Sequence, residues 1–371
     1  MTVVAGALPL SLRDRWQAIR NRLLASPRFQ HWAAAFPLTR PIARREATAL
    51  FDLCAGFVYA QTLSACVSLD LFERLAKRPV AIATIAAEAD MPGEAALRLI
   101  RAAAALRLLE TDGTTARLGP LGAALRGNPG IAAMVRHHAL LYRDLADPVA
   151  LLRGESDASL AAFWPYDAAS EDRAGTYSAL MAASQPMIAA EILAAYDFRR
   201  HRRLLDLGGG DGSFLAALAP AAPLLDLTLF DVPTVAELAR RKLAAAGLAG
   251  RSRVCGGDMR RDPLPRDADI ITLIRVLHDH DDDQAMAILR NARAALERGA
   301  TLLIAEPMAG TKGALSMGDA YFGLYLFAMG SGRPRRPAEL FAMLSAAGFT
   351  AARRHATNQP MLASVITARA A

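Results

Sequence analysis

One short stretch near the middle of the chain, residues 203–215, constrains the fold more than any other. It reads RLLDLGGGDGSFL, so an apolar run ends in the acid Asp206. Three glycines follow at alternate positions, namely Gly208, Gly210 and Gly212. Missing side chains let the backbone turn sharply out of a strand and approach a ligand closely. The pattern therefore predicts a strand, a tight loop and a helix that begins near Ser213.

The spacing within this loop separates two classes of ligand. A dinucleotide-binding loop would place its third glycine at Ser213, and it does not need an acid at Asp206. A carboxylate on the strand end instead suits a ligand that carries positive charge, such as the amine and sulfonium of S-adenosylmethionine. For the motif taken alone, an ordinary glycine-rich turn remains the alternative.

The composition allows a helix-rich protein with two domains. The chain has 371 residues, and 53% of them are hydrophobic. Alanine and leucine dominate that fraction, and both favour helices. Three cysteines at unrelated spacings predict neither a disulfide framework nor a metal site, and they fit a reducing compartment.

The charge and the amino terminus point to a cytoplasmic protein. The net charge is +7, with basic clusters at residues 199–203 and 333–336 that lack interleaved aromatic residues. We interpret these clusters as solvated surface rather than a nucleic-acid site, and anionic membrane surfaces remain possible partners. We predict no signal peptide, and we expect no apolar run to approach the length that a bilayer needs.

The chain is expected to contain three regions. Residues 1–45 form a helical extension, residues 46–150 a helical and winged-helix domain, and residues 151–371 an α/β domain. The winged helix is predicted from two helices followed by a hairpin around Asp112-Gly113. Its second helix, residues 94–106, has few polar side chains that could read DNA, so we favour homodimerisation over a DNA-binding regulator.

After residue 196, strands and helices alternate, which predicts a doubly wound, mostly parallel sheet with helices on both faces. Two further strands near the carboxyl terminus are expected to form an antiparallel edge pair. The five parallel strands are predicted at residues 203–207, 225–230, 253–255, 270–277 and 301–305.

Polar residues follow each of these strands, where ligands bind in open α/β sheets. Asp231 can accept both hydroxyls of a ribose, although capping of the next helix is an alternative. Asp258 can reach the amine of an adenine ring, with Met259 packed on the ring. His278 can accept a proton from a substrate hydroxyl. Glu306, on the neighbouring strand, can hold the other ring nitrogen of His278.

An apolar segment, residues 315–329, can line a substrate pocket or belong to the ordinary core. The candidate pocket residues are Phe163, Met181, Tyr321, Phe322, Tyr325 and Met329.

These residues together resemble the small-molecule O-methyltransferases of the plant caffeate type and their bacterial relatives, from the helical dimerisation region to the carboxyl end. The motifs that carry the resemblance are LDLGGGDG at 205–212, FDVP at 230–233, GGDM at 256–259, VLHD at 276–279 and AEP at 305–307.

The resemblance implies a class I methyltransferase sheet, a homodimer and S-adenosylmethionine without a metal. It also implies that His278 is the catalytic base and Glu306 its orienting glutamate, while Asp231 and Asp258 contact ribose and adenine. Two positions depart from the family pattern. His280 replaces a tryptophan, and the second orienting glutamate is absent around Pro334.

Within the family, several segments are similar to enzymes of purple photosynthetic bacteria that methylate the tertiary 1-hydroxyl of acyclic carotenoids such as hydroxyneurosporene or demethylspheroidene. That similarity implies an apolar acceptor and transient contact with a membrane. A C-methyltransferase acting on a bacteriochlorophyllide is the nearest alternative, and a nicotinamide oxidoreductase is a more distant one. The similar segments lie at 57–61, 118–125, 137–149, 177–186 and 332–335.

Overall fold

The computed structural model describes residues 11–155, 159–163 and 171–371, without the side chains of residues 162, 163 and 171–181. The chain divides into two compact units. The first comprises Met1–Leu69 and Val80–Ala116, and the second comprises Asp70–Pro79 and Arg117–Ala371. The domain boundaries expected near residues 45 and 150 stay predictions.

The first unit begins with three helices, α1 (Leu12–Leu24), α2 (Pro27–Ala35) and α3 (Arg40–Ser68). Ser11 and Asp14 form a capping box that starts α1. A proline lies in the first turn of both α2 and α3, where no backbone N–H is needed. Pro27 and Pro41 therefore mark the starts of helices.

Helix α3 corrects one expectation from the sequence. By length and composition it is apolar enough to cross a membrane, and only 11% of its most apolar window is buried. It is the one such helix among the described residues. Small residues such as alanine, threonine and serine dilute its hydropathy, so the run is not conspicuous in the sequence.

The region predicted as a winged helix contains the expected two helices and hairpin. Its two helices are α5 (Ile82–Glu88) and α6 (Gly93–Ala105), and its three short strands pair in the order β1-β3-β2. The Asp112 carboxylate accepts hydrogen bonds from the backbone of Thr114 and Thr115, which closes the hairpin turn. The strands are β1 (Val80–Ala81), β2 (Leu109–Thr111) and β3 (Thr115–Leu118).

Helices of the second unit are α4 (Leu71–Arg74), α7 (Pro120–Arg126), α8 (Pro129–Asp144), α9 (Pro148–Arg153), α10 (Ser159–Phe163), α11 (Glu171–Ala195), α12 (Ser213–Leu218), α13 (Pro233–Ala245), α14 (Asp282–Ala295), α15 (Phe322–Met329) and α16 (Pro337–Ala346). Its strands are β4 (Arg203–Leu207), β5 (Asp226–Asp231), β6 (Ser252–Gly256), β7 (Ile270–Ile274), β8 (Thr301–Glu306), β9 (Phe349–His355) and β10 (Ser364–Ala370).

These seven strands form one sheet in the order β6-β5-β4-β7-β8-β10-β9. The first five are parallel, and β10 runs antiparallel to both β8 and β9. The predicted doubly wound sheet and its antiparallel end are thus confirmed. Side chains from α11, α12 and α13 pack in one apolar cluster on the sheet, and those from α14 and α16 pack in another.

Because the five parallel strands point the same way, their carboxyl ends meet at one edge of the sheet. The helices leave that edge open to side chains that follow β4, β5, β7 and β8. The candidate site lies there.

Candidate active site

The glycine loop after β4 turns only because its glycines permit it. Gly208 has φ +72° and donates its N–H to Phe230 O at 2.8 Å. A Cβ on Gly208 would lie 2.8 Å from Cγ2 of Val276, closer than side chains tolerate. Gly210 and Gly212 also have positive φ, which L residues rarely adopt. The backbone of the loop is therefore exposed to a ligand.

Asp206 is buried at the end of β4, and one of its two carboxylate oxygens is available to bind a ligand. Its Oδ1 accepts a 2.6 Å hydrogen bond from Thr272 Oγ1. Its Oδ2 has no hydrogen-bond partner within the described part of the chain. Burial raises the pKa of Asp206 to about 7, the Thr272 bond opposes this, and nearby Asp231 adds to it. A cationic ligand would favour the charged form.

Asp231 ends β5 and faces the glycine loop. Its Oδ2 accepts from the N–H of Gly210 at 2.8 Å, and its Oδ1 accepts from the N–H of Val232 at 2.7 Å. Burial raises the pKa of Asp231 to about 6, although both backbone bonds favour the carboxylate. Asp231 and Asp206 thus both lie against the glycine loop.

Both carboxylate oxygens of Asp258 accept hydrogen bonds from neighbouring arginines, which was not expected from the sequence. Arg260 donates its Nε and Nη2 to the two carboxylate oxygens at 2.9 Å, and Arg261 Nε donates to Oδ2 at 2.6 Å. These bonds hold the pKa of Asp258 well below its usual range. The sulfur of Met259 lies 3.5 Å from the position of a Cβ on Gly208. Met259 therefore borders the glycine loop.

His278 lies in a 3₁₀ turn, Leu277–Asp279, that follows β7. The imidazole is buried, and its Nε2 lies 3.2 Å from Oδ1 of Asp279. A carboxylate at this distance favours the neutral tautomer with its proton on Nε2 and its lone pair on Nδ1. Nδ1 has no hydrogen-bond partner among the described residues. Asp279 was not assigned a role from the sequence.

The surroundings keep the imidazole neutral. Burial is the main cause that lowers the pKa of His278 to about 3, and the positive charges of Arg275 and Arg335 act in the same direction. Arg275 follows β7 with φ +56°, an uncommon conformation for a residue with a side chain. Its guanidinium donates to Ser184 Oγ and to Gln185 Oε1 on α11. These contacts tie α11 to the turn that carries His278.

Glu306 contacts His278 differently from the prediction. Its Oε2 accepts from the backbone N–H of His278 at 3.1 Å, not from a ring nitrogen. Glu306 ends β8, and the turn brings the His278 amide across to it from β7, whereas the ring faces Asp279. Burial raises the pKa of Glu306 to about 7. The carboxyl therefore anchors the turn, and Asp279 contacts the ring.

The candidate pocket residues fall into two groups. Tyr325 and Met329 are buried in an apolar cluster with α8 and α10, so they are core residues. Tyr321 and Phe322 are only partly buried, and the Phe322 ring lies 5.9 Å from the His278 ring between centroids. Phe322 is therefore the member of this set that lies beside His278, and the assignment of Tyr321 to the pocket stays a prediction.

Two further residues assigned to the pocket cannot be compared in the same way. Phe163 lies in α10 and Met181 lies in α11, but both side chains fall outside the described residues. Their assignment to the pocket stays a prediction.

A pair of histidines on α8 was left without a role from the sequence. His138 Nε2 lies 2.7 Å from the hydroxyl of Tyr321, and His137 Nε2 lies 2.8 Å from that of Tyr325. The two tyrosine rings stack with centroids 5.8 Å apart. Adjacent histidines on a helix gave no periodic signal, because their partners are more than 180 residues away along the chain.

Comparison with known proteins agrees with this geometry. The family model described as "O-methyltransferase domain" matches residues 142–350. The chain is 44% identical to the demethylspheroidene O-methyltransferase of Cereibacter sphaeroides, over 94% of this chain and 93% of that one. It is 42% identical to the enzyme of the same name from Rhodobacter capsulatus, over 94% of this chain and 88% of the other.

Solved structures share the fold. The mitomycin 7-O-methyltransferase MmcR has a TM-score of 0.74 and 27% identity, covering 89% of this chain and 100% of its own. CalO1, a methyltransferase of calicheamicin biosynthesis described with S-adenosylhomocysteine bound, has a TM-score of 0.75 and 26% identity, covering 88% of this chain and 98% of its own.

Proposed function

Because the chain belongs to the O-methyltransferase family, we propose that it transfers a methyl group from S-adenosylmethionine to the tertiary 1-hydroxyl of an acyclic hydroxycarotenoid such as demethylspheroidene or hydroxyneurosporene. The observation that carries the acceptor is the identity above 40% to two demethylspheroidene O-methyltransferases over nearly the whole chain. The DNA-binding regulator, the nicotinamide oxidoreductase and the bacteriochlorophyllide C-methyltransferase are not favoured by these relatives.

The residues after β4 and β5 fit the methyl donor. An unpartnered carboxylate oxygen on Asp206 suits a ligand with an ammonium and a sulfonium. Gly210 leaves room for a ligand against the backbone, because a Cβ there would meet no heavy atom within 4 Å. Asp231 would hold the ribose, and Asp258 and Met259 would border the adenine. S-adenosylmethionine supplies an activated methyl group, so the protein contributes mainly by positioning.

His278 then acts as the proton acceptor. A neutral imidazole with a pKa of about 3 is too weak a base to deprotonate a tertiary alcohol in advance. The acceptor oxygen becomes far more acidic once it has gained the methyl group, so its proton leaves late and passes to the imidazole of His278. Asp279, on Nε2, stabilises the resulting imidazolium.

Methyl transfer to defined acceptors tests this function. Purified enzyme with labelled methyl donor should methylate a 1-hydroxylated acyclic carotenoid and leave a bacteriochlorophyllide unlabelled. A His278→Ala variant should bind S-adenosylmethionine normally and lose most of its turnover. Near wild-type turnover of this variant would remove His278 as the base, and labelling of the bacteriochlorophyllide alone would overturn the acceptor.

We also propose that the protein is a homodimer. Supporting this, the exposed apolar side chains on α3 include Leu50, Phe51, Leu53 and Phe57. The only charged residues from 46 to 58 are acidic, so this face suits a second copy better than an anionic lipid surface. Light scattering on the eluted protein should give twice the chain mass. A Phe57→Asp variant that stayed dimeric, or a monomeric wild type, would argue against the face.

The cytoplasmic enzyme is proposed to contact an anionic membrane through α1. Its apolar residues recur at intervals of three or four, so they share one face of the helix. The arginines lie on both sides of that face, the arrangement typical of an interfacial helix. The apolar set is Leu12, Trp16, Ile19 and Leu23, all exposed, and the flanking set is Arg13, Arg15, Arg20 and Arg22.

Vesicle flotation tests this contact. Protein should float with anionic vesicles at low salt and remain behind with zwitterionic ones. Trp16→Ala should weaken flotation, whereas Asn21→Ala, on the opposite face of α1, should not. Equal recovery of the Trp16→Ala and wild-type proteins, or no flotation at all, would exclude α1 as the contact.

A further inference from the structure

The departure from the family pattern near Pro334 coincides with a fully buried arginine. Arg335 has no exposed surface, yet a guanidinium is among the costliest groups to remove from water. Such a group persists only where every donor finds an acceptor of good geometry. Its contacts therefore indicate what it does.

The Arg335 side chain binds the segment that carries His278. Nη1 donates to Leu277 O at 2.6 Å, and Nη2 donates to His280 O at 2.7 Å. Nε donates to Oδ1 of Asp282 at 2.9 Å. The planar guanidinium thus bonds the carbonyls on both sides of the His278 turn and the first residue of α14 at the same time.

The Arg335 backbone binds the segment that carries Glu306. Its carbonyl accepts from the N–H of Ala309 at 3.1 Å, three residues beyond Glu306. One residue therefore connects the chain after β7 to the chain after β8. Through it, the spacing of His278 and Glu306 is fixed on the side opposite the sheet.

Residues that precede Arg335 contact the His278 turn and the residues that follow it. Ser331 Oγ donates to Asp279 O at 2.9 Å, and Gly332 N donates to Oδ1 of Asp281 at 2.9 Å. Gly332 has φ +80°, and a Cβ there would overlap the carbonyl oxygen of His278. We call residues 331–335 the clamp segment.

We propose that Arg335 is a positioning residue for methyl transfer, and that the clamp segment holds the His278 turn so that the imidazole faces the acceptor. The inference rests on the proposed role of His278 as proton acceptor. It assigns to a buried cation the place that the family gives to a second orienting glutamate. The difference is that Arg335 acts on the backbone of the turn and not on the ring.

Two Arg335 variants and a control separate positioning from stability. Arg335→Lys keeps the charge but loses the fork that reaches three acceptors, and we expect turnover to fall about 10- to 100-fold, since small displacements of a catalytic group cost that much. The Kd for S-adenosylmethionine should change less than about twofold, because no donor-binding residue is touched. Arg290→Gln is the control, since Arg290 is an exposed arginine on α14 that lies outside the clamp segment.

The pH profile of turnover supplies a readout that a purely structural role would not move. Arg335→Gln removes a positive charge near His278, so the pKa of the ring and the acid limb of the profile should rise. Arg335→Lys and Arg290→Gln should leave that limb in place. The groups that face the ring are Arg275, Asp279, His280, Glu306 and Arg335, together with the Phe322 ring.

The outcomes distinguish this inference from the proposed function. If His278→Ala abolishes turnover but both Arg335 variants keep wild-type turnover and pH profile, the positioning role of Arg335 is wrong. The role of His278 as proton acceptor is then retained. If His278→Ala remains active, the base itself is wrong. Should the Arg335 variants fail to fold, Ser331→Ala decides, with a loss of turnover at unchanged donor affinity expected and wild-type turnover contradicting the clamp.

Discussion

Thr272 donates a 2.6 Å hydrogen bond to Asp206 from the directly opposite position on the neighbouring parallel strand. The pair lies in the middle of the sheet, where neither residue reaches water. The bond occupies Oδ1 of the carboxyl. Oδ2 has no hydrogen-bond partner among the described residues and stays available to a ligand. A strand residue inside the sheet therefore determines which oxygen of Asp206 is available to a ligand.

Replacing Thr272 with valine should weaken donor binding. Valine keeps the shape of threonine but removes the hydroxyl, so the pKa of Asp206 rises further and the carboxylate becomes harder to form. We expect the Kd for S-adenosylmethionine to increase about tenfold or more, the equivalent of one hydrogen bond to a charged group. Titration calorimetry measures it, with Thr350→Val on the exposed outer strand β9 as the control. An unchanged Kd would mean that Asp206 does not bind the donor.

Donor affinity should depend on pH through the same carboxyl. With a pKa of about 7, Asp206 is mostly protonated at pH 6, and with a pKa of about 6 Asp231 is partly so. A cationic donor binds the carboxylate, so binding releases protons below these values. As the pH rises toward these pKa values, the Kd should fall about tenfold per pH unit for each coupled carboxyl. It should level off above pH 7 to 8. Calorimetry in buffers of different ionisation enthalpy counts the protons, and a pH-independent Kd from 6 to 8 would refute the linkage.

A side chain on Gly208 should remove donor binding and cost stability. Gly208→Ala forces a positive φ and brings Cβ against Val276, which together should lower the free energy of unfolding by more than about 1 kcal/mol. Gly250→Ala is the matched control, because no heavy atom lies within 4 Å of its added Cβ. Thermal unfolding with and without donor reports both effects. A donor-induced shift in Tm equal to that of the wild type would contradict the predicted approach of the ligand to the loop.

Asp279 should matter to turnover, although sequence analysis assigned it no role. Asp279→Asn removes a negative charge 3.2 Å from Nε2, so the imidazolium that forms during methyl transfer loses its stabilising partner. Turnover should fall by about 100-fold or more with donor affinity retained. Asp283→Asn, an exposed acid on α14, is the control. If the two variants had equal turnover, Nε2 would not need a carboxylate.

The sheet could be predicted from sequence because each of its parallel strands is a short apolar run bounded by polar residues or glycine. Strand β4 is predicted to the residue, and β7 ends earlier than expected because Arg275 leaves the extended conformation. The end of a strand depends on tertiary contacts, here those of Arg275 with α11. No local pattern carries that information.

Site residues could be predicted from sequence where their position follows from the end of a strand. Contacts between residues far apart along the chain were harder to predict. Acids after β4 and β5 follow from strand ends alone. The contact of Glu306 with an amide in place of a ring depends on how the His278 turn is rotated. Arg335 lies 58 residues from the carbonyl of Leu277 that it binds, and its charge alone suggested a solvated surface. Burial reverses that interpretation.

The position of β10 in the sheet has a consequence for the order in which the protein can form during translation. Strand β8, which ends in Glu306, gains its second neighbour only when residues 364–370 have been synthesised. Until then its edge offers unpaired amides and carbonyls to other chains, while the donor loop between β4 and β5 is already complete. Nascent protein can thus acquire the donor-binding half of the site before the half that accepts the proton is secured.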